Sequence, residues 1–220
     1  MWKLVMSQLE RAKQAYLNGD AELAREIVSR EKYVDVLELK IDRDCENYIA
    51  LYNPVAIDLR LVLSLMKISR TLERIGDFAE GIARHVVEGS IRKMPPHLQE
   101  ELQVERMFST LLGMLSDSFV MLESENTKLA GKILRKDDEV DAIYSTSMSL
   151  IEKILAENAE LIPCGLRTLL LVRKLERIGD HCSNIVEEIV FYVDAKVLKH
   201  KAKFPKNILT FARQSASFCL

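Results

Sequence analysis

The 220-residue chain has little of what builds sheets and tight turns. It holds eight glycines, five prolines and 6 % aromatic residues, which is poor material for a strand-rich fold. Leu, Ile, Glu, Lys and Arg are plentiful instead and favour helix. Four cysteines, Cys45, Cys164, Cys182 and Cys219, are scattered, with no Cys-x-x-Cys pair. That argues against a disulfide framework or structural zinc site and points to reduced thiols in a cytoplasmic protein. A formal net charge of -2 offers no broad basic face for nucleic acid. No apolar run approaches the roughly 20 residues that span a bilayer. The opening Met1-Trp-Lys-Leu-Val-Met-Ser-Gln-Leu-Glu10 turns polar too soon for a signal peptide. There is no Gly-rich phosphate loop. The Glu-x-x-His signature of oxygen-activating di-iron bundles is missing too.

What the chain does have is repetition. Arg70-Thr-Leu-Glu-Arg-Ile-Gly-Asp77 returns as Arg173-Lys-Leu-Glu-Arg-Ile-Gly-Asp180, with Thr71 and Lys174 the only difference. Ile82 and Ile185 keep one offset from the two copies. Upstream, Glu31-Lys-Tyr-Val-Asp35 parallels Asp137-Asp-Glu-Val-Asp141, and a proline break, Asn53-Pro54 or Pro163, separates the motifs of each half. The recurring order implies duplication of a unit of roughly 100 residues.

Apolar spacing predicts six helices. The first covers 1–17 and ends at Asn18-Gly19. Asp20 caps a second that runs to about Leu51, and the third runs from about Val55 to Glu88. Its seam of Leu61, Leu65, Ile68, Leu72, Ile75, Ala79, Ile82 and Val86 steps by alternating 4 and 3, a heptad pattern. A linker at Gly89–Pro96 leads to a fourth helix, about His97 to Glu123, well longer than the first. The fifth is capped near Asn126 or Thr127. The sixth follows Pro163 with Leu171, Leu175, Ile178, Cys182, Ile185, Ile189 and Val193 as its seam. The expected fold is all-α, two tandem antiparallel three-helix bundles, residues 1–92 and 97–199, with a tail over 200–220 that the repeat does not explain.

In heptad phase, Glu73 and Asp77 lie off the seam, four residues apart on one face shared with Arg70. Glu176 and Asp180 repeat this beside Arg173. Glu31, Asp35, Glu38 and Asp42 form an acidic stripe on the second helix; Asp137 and Asp141 form a shorter one on the fifth. Two readings follow. The acids line a solvated face with local ion pairs such as Arg70–Glu73 and Arg74–Asp77. Alternatively, they converge into four carboxylates per bundle that hold a hard cation, magnesium, calcium, manganese or iron. Gly76 and Gly179, costly inside a helix, mark a close helix approach or room for a ligand. His181 has only Phe78 as counterpart, so it serves one site or is simply packed. Ser183 and Asn184 show no nucleophile-and-base arrangement, and no catalytic residue stands out.

With these doubled motifs the chain resembles the PhoU family. Asp180-His181-Cys-Ser-Asn184-Ile follows that family's Asp-His-x-x-Asn-Ile pattern, and Pro54-Val-Ala-Ile-Asp58-Leu-Arg60 fits the approach to the third helix. The likeness spans about Met1 to His200. It implies tandem bundles with a pseudo-twofold relation and metal clusters of iron, zinc, manganese or magnesium on Glu31, Asp35, Glu73, Asp77, Asp137, Asp141, Glu176 and Asp180. Arg70, Arg173, His181 and Asn184 are accessory. It further implies a non-catalytic, cytoplasmic negative regulator of phosphate uptake and of the phosphate-starvation response. Such a regulator links the ATPase subunit of a phosphate ABC transporter to a sensor histidine kinase. It associates with membrane complexes only peripherally, and a homodimer is expected. A metal-dependent phosphate-ester hydrolase and an accessory domain of a sodium–phosphate cotransporter are the alternatives. The chain departs from the family in the Phe78/His181 and Gly81/Asn184 exchanges, in the lack of repeat counterparts for Asp58 and Arg60, and in its short first helix. That helix implies either a truncated start or an end of the first bundle left open to a partner.

Overall fold

The computed structural model describes residues 1–88 and 95–198. Helices α1 (Trp2–Asn18), α2 (Ala21–Tyr52) and α3 (Ala56–Val87) form the first bundle. A short α4 (Pro96–Glu101) precedes α5 (Val104–Glu123), α6 (Ala130–Glu157) and α7 (Ile162–Asp194), which form the second. The described residues contain no strand. The duplicated all-α architecture is therefore as expected. The 89–94 stretch of the linker, the tail over 200–220 and Cys219 lie outside the described residues.

Local chemistry sets the turns. Gly19 takes a left-handed φ of 67° after α1, which glycine adopts without steric cost. The Asp20 carboxylate accepts from the Glu22 and Leu23 amides at 3.1 and 3.0 Å, satisfying two orphan donors of α2. Asn53, with φ 47°, ends α2 before Pro54. Asn126 accepts from the Lys128 amide at 3.0 Å and opens a 3-10 turn ahead of α6. Pro163 falls in the first turn of α7, where its missing N–H costs nothing.

The expected fourth helix from His97 to Glu123 is not continuous. Gln103, at φ 52°, separates α4 from α5. The break turns Leu102 inward to 1 % exposure, and the Leu102 carbonyl accepts from Ser147 Oγ at 3.2 Å. Burial of one leucine and one satisfied hydroxyl thus override helical continuity. The contrast in helix length shrinks accordingly. At 17 residues α1 is less than a turn shorter than α5, at 20, but nothing in the first bundle corresponds to α4.

The heptad seam of α3 is also too narrow a description. Ile68, Leu72, Ile75, Ala79 and Ile82 are buried as expected, but Leu61, Leu65 and Val86 are only half-buried. Val62, Ser64, Ser69 and Ala83 are buried instead. The reason is that α3 packs against α1, α2 and α7 together, so its covered band exceeds one seam.

The two bundles share one hydrophobic core. Trp2 Nε1 donates to the Leu115 carbonyl at 3.1 Å, and the Tyr16 and Phe108 rings lie 6.5 Å apart across α1 and α5. Helices α3 and α7 run antiparallel. Arg60 Nε meets the Tyr192 carbonyl at 3.1 Å, Ser64 Oγ the Glu188 carbonyl at 3.2 Å, and Lys174 Nζ the Gly81 carbonyl at 2.9 Å. As residue numbers rise on one helix they fall on the other. The two octapeptides therefore lie near a pseudo-twofold axis, where Phe78 and His181 touch with ring centroids 5.7 Å apart.

Candidate metal centres

Each octapeptide sends its acids toward the neighbouring helix of its own bundle. In the first bundle Glu31 feels the charges of Asp35, Asp77 and Glu80, and Glu73 those of Asp77, Glu38 and Asp35. In the second, Asp137 and Asp141 both feel Asp180 and Asp138, and Glu176 feels Asp180 and Asp141. The four acids expected in each half are thus gathered along the α2–α3 and α6–α7 grooves. They do not all face outward, as heptad phase suggests. The Glu73 side chain is only 18 % exposed, because α2 closes over it. Arg74 pairs with Asp77 at 3.2 Å and Glu73 at 3.6 Å. Arg70 makes no ion pair with Glu73. It turns toward α7 with Lys67 and Arg74.

The glycines show how closely the helices approach. A Cβ on Gly179 would stand 2.5 Å from Asp137 Oδ1, and one on Gly76 3.4 Å from Val34 and 3.5 Å from Gln8 Oε1. Gly179 is therefore the space that the Asp137 carboxylate occupies, while Gly76 serves ordinary helix packing. Three functional candidates escape sequence reasoning. Glu80, one turn beyond Asp77, adds a further carboxylate to the first cluster. Its repeat counterpart is Ser183, which donates to Asp137 Oδ2 at 2.5 Å. Ser183 thus has a carboxylate partner that linear spacing does not reveal. Gln8 is 2 % exposed, and neither its amide oxygen nor its nitrogen finds a hydrogen-bond partner among the described residues. A glutamine between Val5 and Leu9 on the apolar stripe of α1 was the available signal.

Like charge and burial act on these groups together. Burial, then the hydrogen bond and charge of Asp35, push the Glu31 carboxyl up to about 7. Burial pushes Asp137 up to about 6, with Asp141 and Asp180 adding to it against the opposing Ser183 hydrogen bond. Glu73, Asp141 and Glu176 are raised as well, by burial first and neighbouring acids second. A carboxyl raised in the folded state contributes stability below its unfolded pKa and loses it as pH rises through the folded value. Chelator-treated Glu31→Gln/Asp137→Asn protein is thus expected to exceed the parent in stability by about 1–2 kcal/mol near pH 8, after discounting for solvent screening. The gap should close by about pH 3, below both unfolded pKa values. Urea unfolding of both proteins at the two pH values measures this; a gap independent of pH would refute it. Burial lowers the pKa of His85 and His181, which acts the other way, but that contribution cancels between the two proteins.

The donor set fits a hard cation, being oxygen throughout. Asp137 Oδ1 is buried without a hydrogen-bond partner, another mark of that fit. As placed, no three His, Cys, Asp or Glu side chains among the described residues stand close enough to hold an ion. Ligation would therefore need side-chain rotation. His181 packs on Phe78 and lines the α3–α7 groove with Asn184, away from the carboxylate grooves. Arg173 is exposed. Cys45, Cys164 and Cys182 are buried. Among the described residues no helix is long and apolar enough to cross a membrane.

Two helical bundles built from one duplicated unit, each with carboxylates along its outer helix pair, define the class of protein. The PhoU domain profile matches twice, over residues 1–86 and 104–189. The chain is 36 % identical over 200 residues to the phosphate-specific transport system accessory protein PhoU of Edwardsiella tarda, spanning 91 % of this chain and 81 % of that one. It is 34 % identical to the protein of that name from Escherichia coli (strain K12), over 91 % and 82 %. The crystal structure of PhoU from Pseudomonas aeruginosa superposes with a TM-score of 0.81 at 30 % identity, covering 89 % of this chain and 93 % of that one. That of the phosphate transport system regulatory protein PhoU from Streptococcus pneumoniae gives 0.79 at 28 %, over 90 % and 92 %. The chain belongs to the PhoU family.

Proposed function

We propose that this protein is a non-catalytic, cytoplasmic adaptor that represses phosphate uptake and the phosphate-starvation response. It does so by contacting the ATPase subunit of a phosphate ABC transporter and a sensor histidine kinase. The names of its relatives, accessory and regulatory proteins of phosphate transport, support the physiological side. The physical side rests on one feature of the first bundle. At the far end of the α2–α3 hairpin, Leu51, Tyr52 and Val55 are 75 %, 69 % and 72 % exposed. Tyr48, beside them, is 42 % exposed, whereas Ile154 at the corresponding place in the second bundle is 7 %. An apolar cluster of this kind marks an interaction surface more often than a solvated one. Arginine and aliphatic residues of a partner would meet Tyr48 and Tyr52, whose rings pack at a tilt with centroids 5.0 Å apart.

In this reading Glu31, Asp35, Glu73 and Asp77 hold one metal centre and Asp137, Asp141, Glu176 and Asp180 the other. Iron, zinc, manganese or magnesium would neutralise the clustered carboxylates and stiffen each outer helix pair. A homodimer belongs to the same reading.

Leu51→Asp/Tyr52→Asp is expected to retain the parent's helix content and melting temperature, since both side chains face solvent. It should lose co-purification with the transporter ATPase subunit and derepress phosphate-starvation expression in high phosphate. Recovery of the ATPase subunit equal to that of the parent would remove this surface from the adaptor reading. A gene deletion that leaves phosphate-responsive expression unchanged in both high and low phosphate would remove the reading itself.

A further inference from the structure

The octapeptides differ at one place, and that place decides whether a groove is open or filled. Because α3 and α7 cross antiparallel about the pseudo-twofold axis, the groove between them has two ends built from repeat-equivalent residues. At one end Lys174 reaches across. Its Nζ donates to the Gly81 carbonyl at 2.9 Å and stands 2.8 Å from where a Gly81 Cβ would be. The protein's own ammonium fills that end. At the other end Thr71 takes the place of Lys174, and its short side chain bonds back to the Lys67 carbonyl at 2.8 Å. What remains is a cavity of about 440 Å³, within the usual size range of small-ligand sites.

The lining of this cavity is cationic. Lys67, Arg70 and Arg74 come from α3, and His181, Asn184 and Glu188 from α7. The one carboxylate of the lining, Glu188, pairs with Lys67 at 3.0 Å. Arg74 is shared with Asp77 and Glu73 at the rim. Arg70 makes no ion pair and Asn184 no side-chain hydrogen bond among the described residues. Two guanidinium groups and a carboxamide thus line a space that the symmetry-related end fills with a cation of its own. Guanidinium groups favour planar, two-point contact with tetrahedral oxyanions.

We propose that the Thr71 end of the α3–α7 groove binds one phosphate-class oxyanion per chain, inorganic phosphate or the phosphoryl group of a monoester, through Arg70, Arg74 and Asn184, with the short Thr71 side chain leaving the space open. The site adjoins the first carboxylate groove through Arg74, which also pairs with Asp77 and Glu73, and does not depend on the adaptor reading. The volume exceeds that of a single tetrahedral anion and leaves room for part of an ester.

Isothermal titration with inorganic phosphate and, separately, glycerol phosphate tests this, in low-salt buffer containing a chelator so that no bound metal recruits the anion. The parent is expected to bind one anion per chain. Arg70→Ala, at an exposed position that the fold does not need, should weaken binding about tenfold or more. Thr71→Lys should abolish it by placing in this end the ammonium that occupies the other. Lys174→Thr should raise the stoichiometry from one toward two. Saturation by either ligand supports the site, and the tighter of the two identifies the source of the phosphoryl group. The proposal is overturned if neither ligand saturates the parent by about 10 mM, or if both Arg70→Ala and Thr71→Lys bind as the parent does while keeping its melting temperature.

Discussion

Phe108→Ala is expected to destabilise the protein by about 3–5 kcal/mol and to bring both halves down together. Phe108 is fully buried on α5, and its ring faces Tyr16 of α1 at 6.5 Å. Truncation leaves a void in a close-packed interior that relaxes only in part, so lost transfer energy and cavity cost add. The site is informative because it lies where the first bundle meets the second. Trp2, the sole tryptophan, sits at the same junction, 5.5 Å from Phe119, and donates to Leu115. Its fluorescence reports that contact, while far-UV circular dichroism reports all the helices. In urea the two signals should coincide in parent and variant alike, with the midpoint lowered in the variant. Separated transitions, or a loss under about 1 kcal/mol, would show two independently folding bundles rather than one core.

The second large effect concerns the carboxylates. Metal added to chelator-stripped parent at a free concentration about 100 times its dissociation constant should stabilise it by about 2.7 kcal/mol for each centre filled. The Glu73→Gln/Glu176→Gln variant should gain little and carry no metal by elemental analysis after purification without chelator. The substitution keeps shape and removes one charge from each cluster. Both carboxyls are raised by burial and by adjacent Asp77 or Asp180, so the metal-free variant should be at least as stable as the metal-free parent. Gain and loss thus have opposite signs in the two conditions, which a nonspecific folding defect would not produce. Equal metal content in parent and variant would remove these acids from the centres.

Much of this arrangement is legible in the residues taken in order. The Arg70–Asp77 and Arg173–Asp180 copies announce the duplication, and spacing of 3 and 4 announces helices. Gly19, Asp20, Asn53 and Asn126 mark helix boundaries through backbone and side-chain chemistry that acts over a few residues. The i, i+4 acids share a face for the same local reason. Packing between distant helices is not local, and there the reading along the chain stops. Heptad phase assigns Glu73 to an outward position because it considers one helix at a time. The structure half-covers that residue because α2 lies over it. Gln8 and Ser183 look unremarkable in line, since their meaning depends on Gly76 and Asp137, far away in the chain. The break at Gln103 follows from Leu102 finding a buried place against α6, a gain that no window of neighbouring residues records.

Sequence by itself determined the duplicated helical unit, its main boundaries and the family, because periodicity, capping and motif identity are properties of short stretches. Tertiary structure alone decided three things. It merged the bundles into one core, it gave Arg70 to the α3–α7 groove rather than to the acids, and it left that groove open at Thr71 and filled at Lys174. Each depends on the antiparallel meeting of α3 and α7, which sets residues more than ninety positions apart side by side.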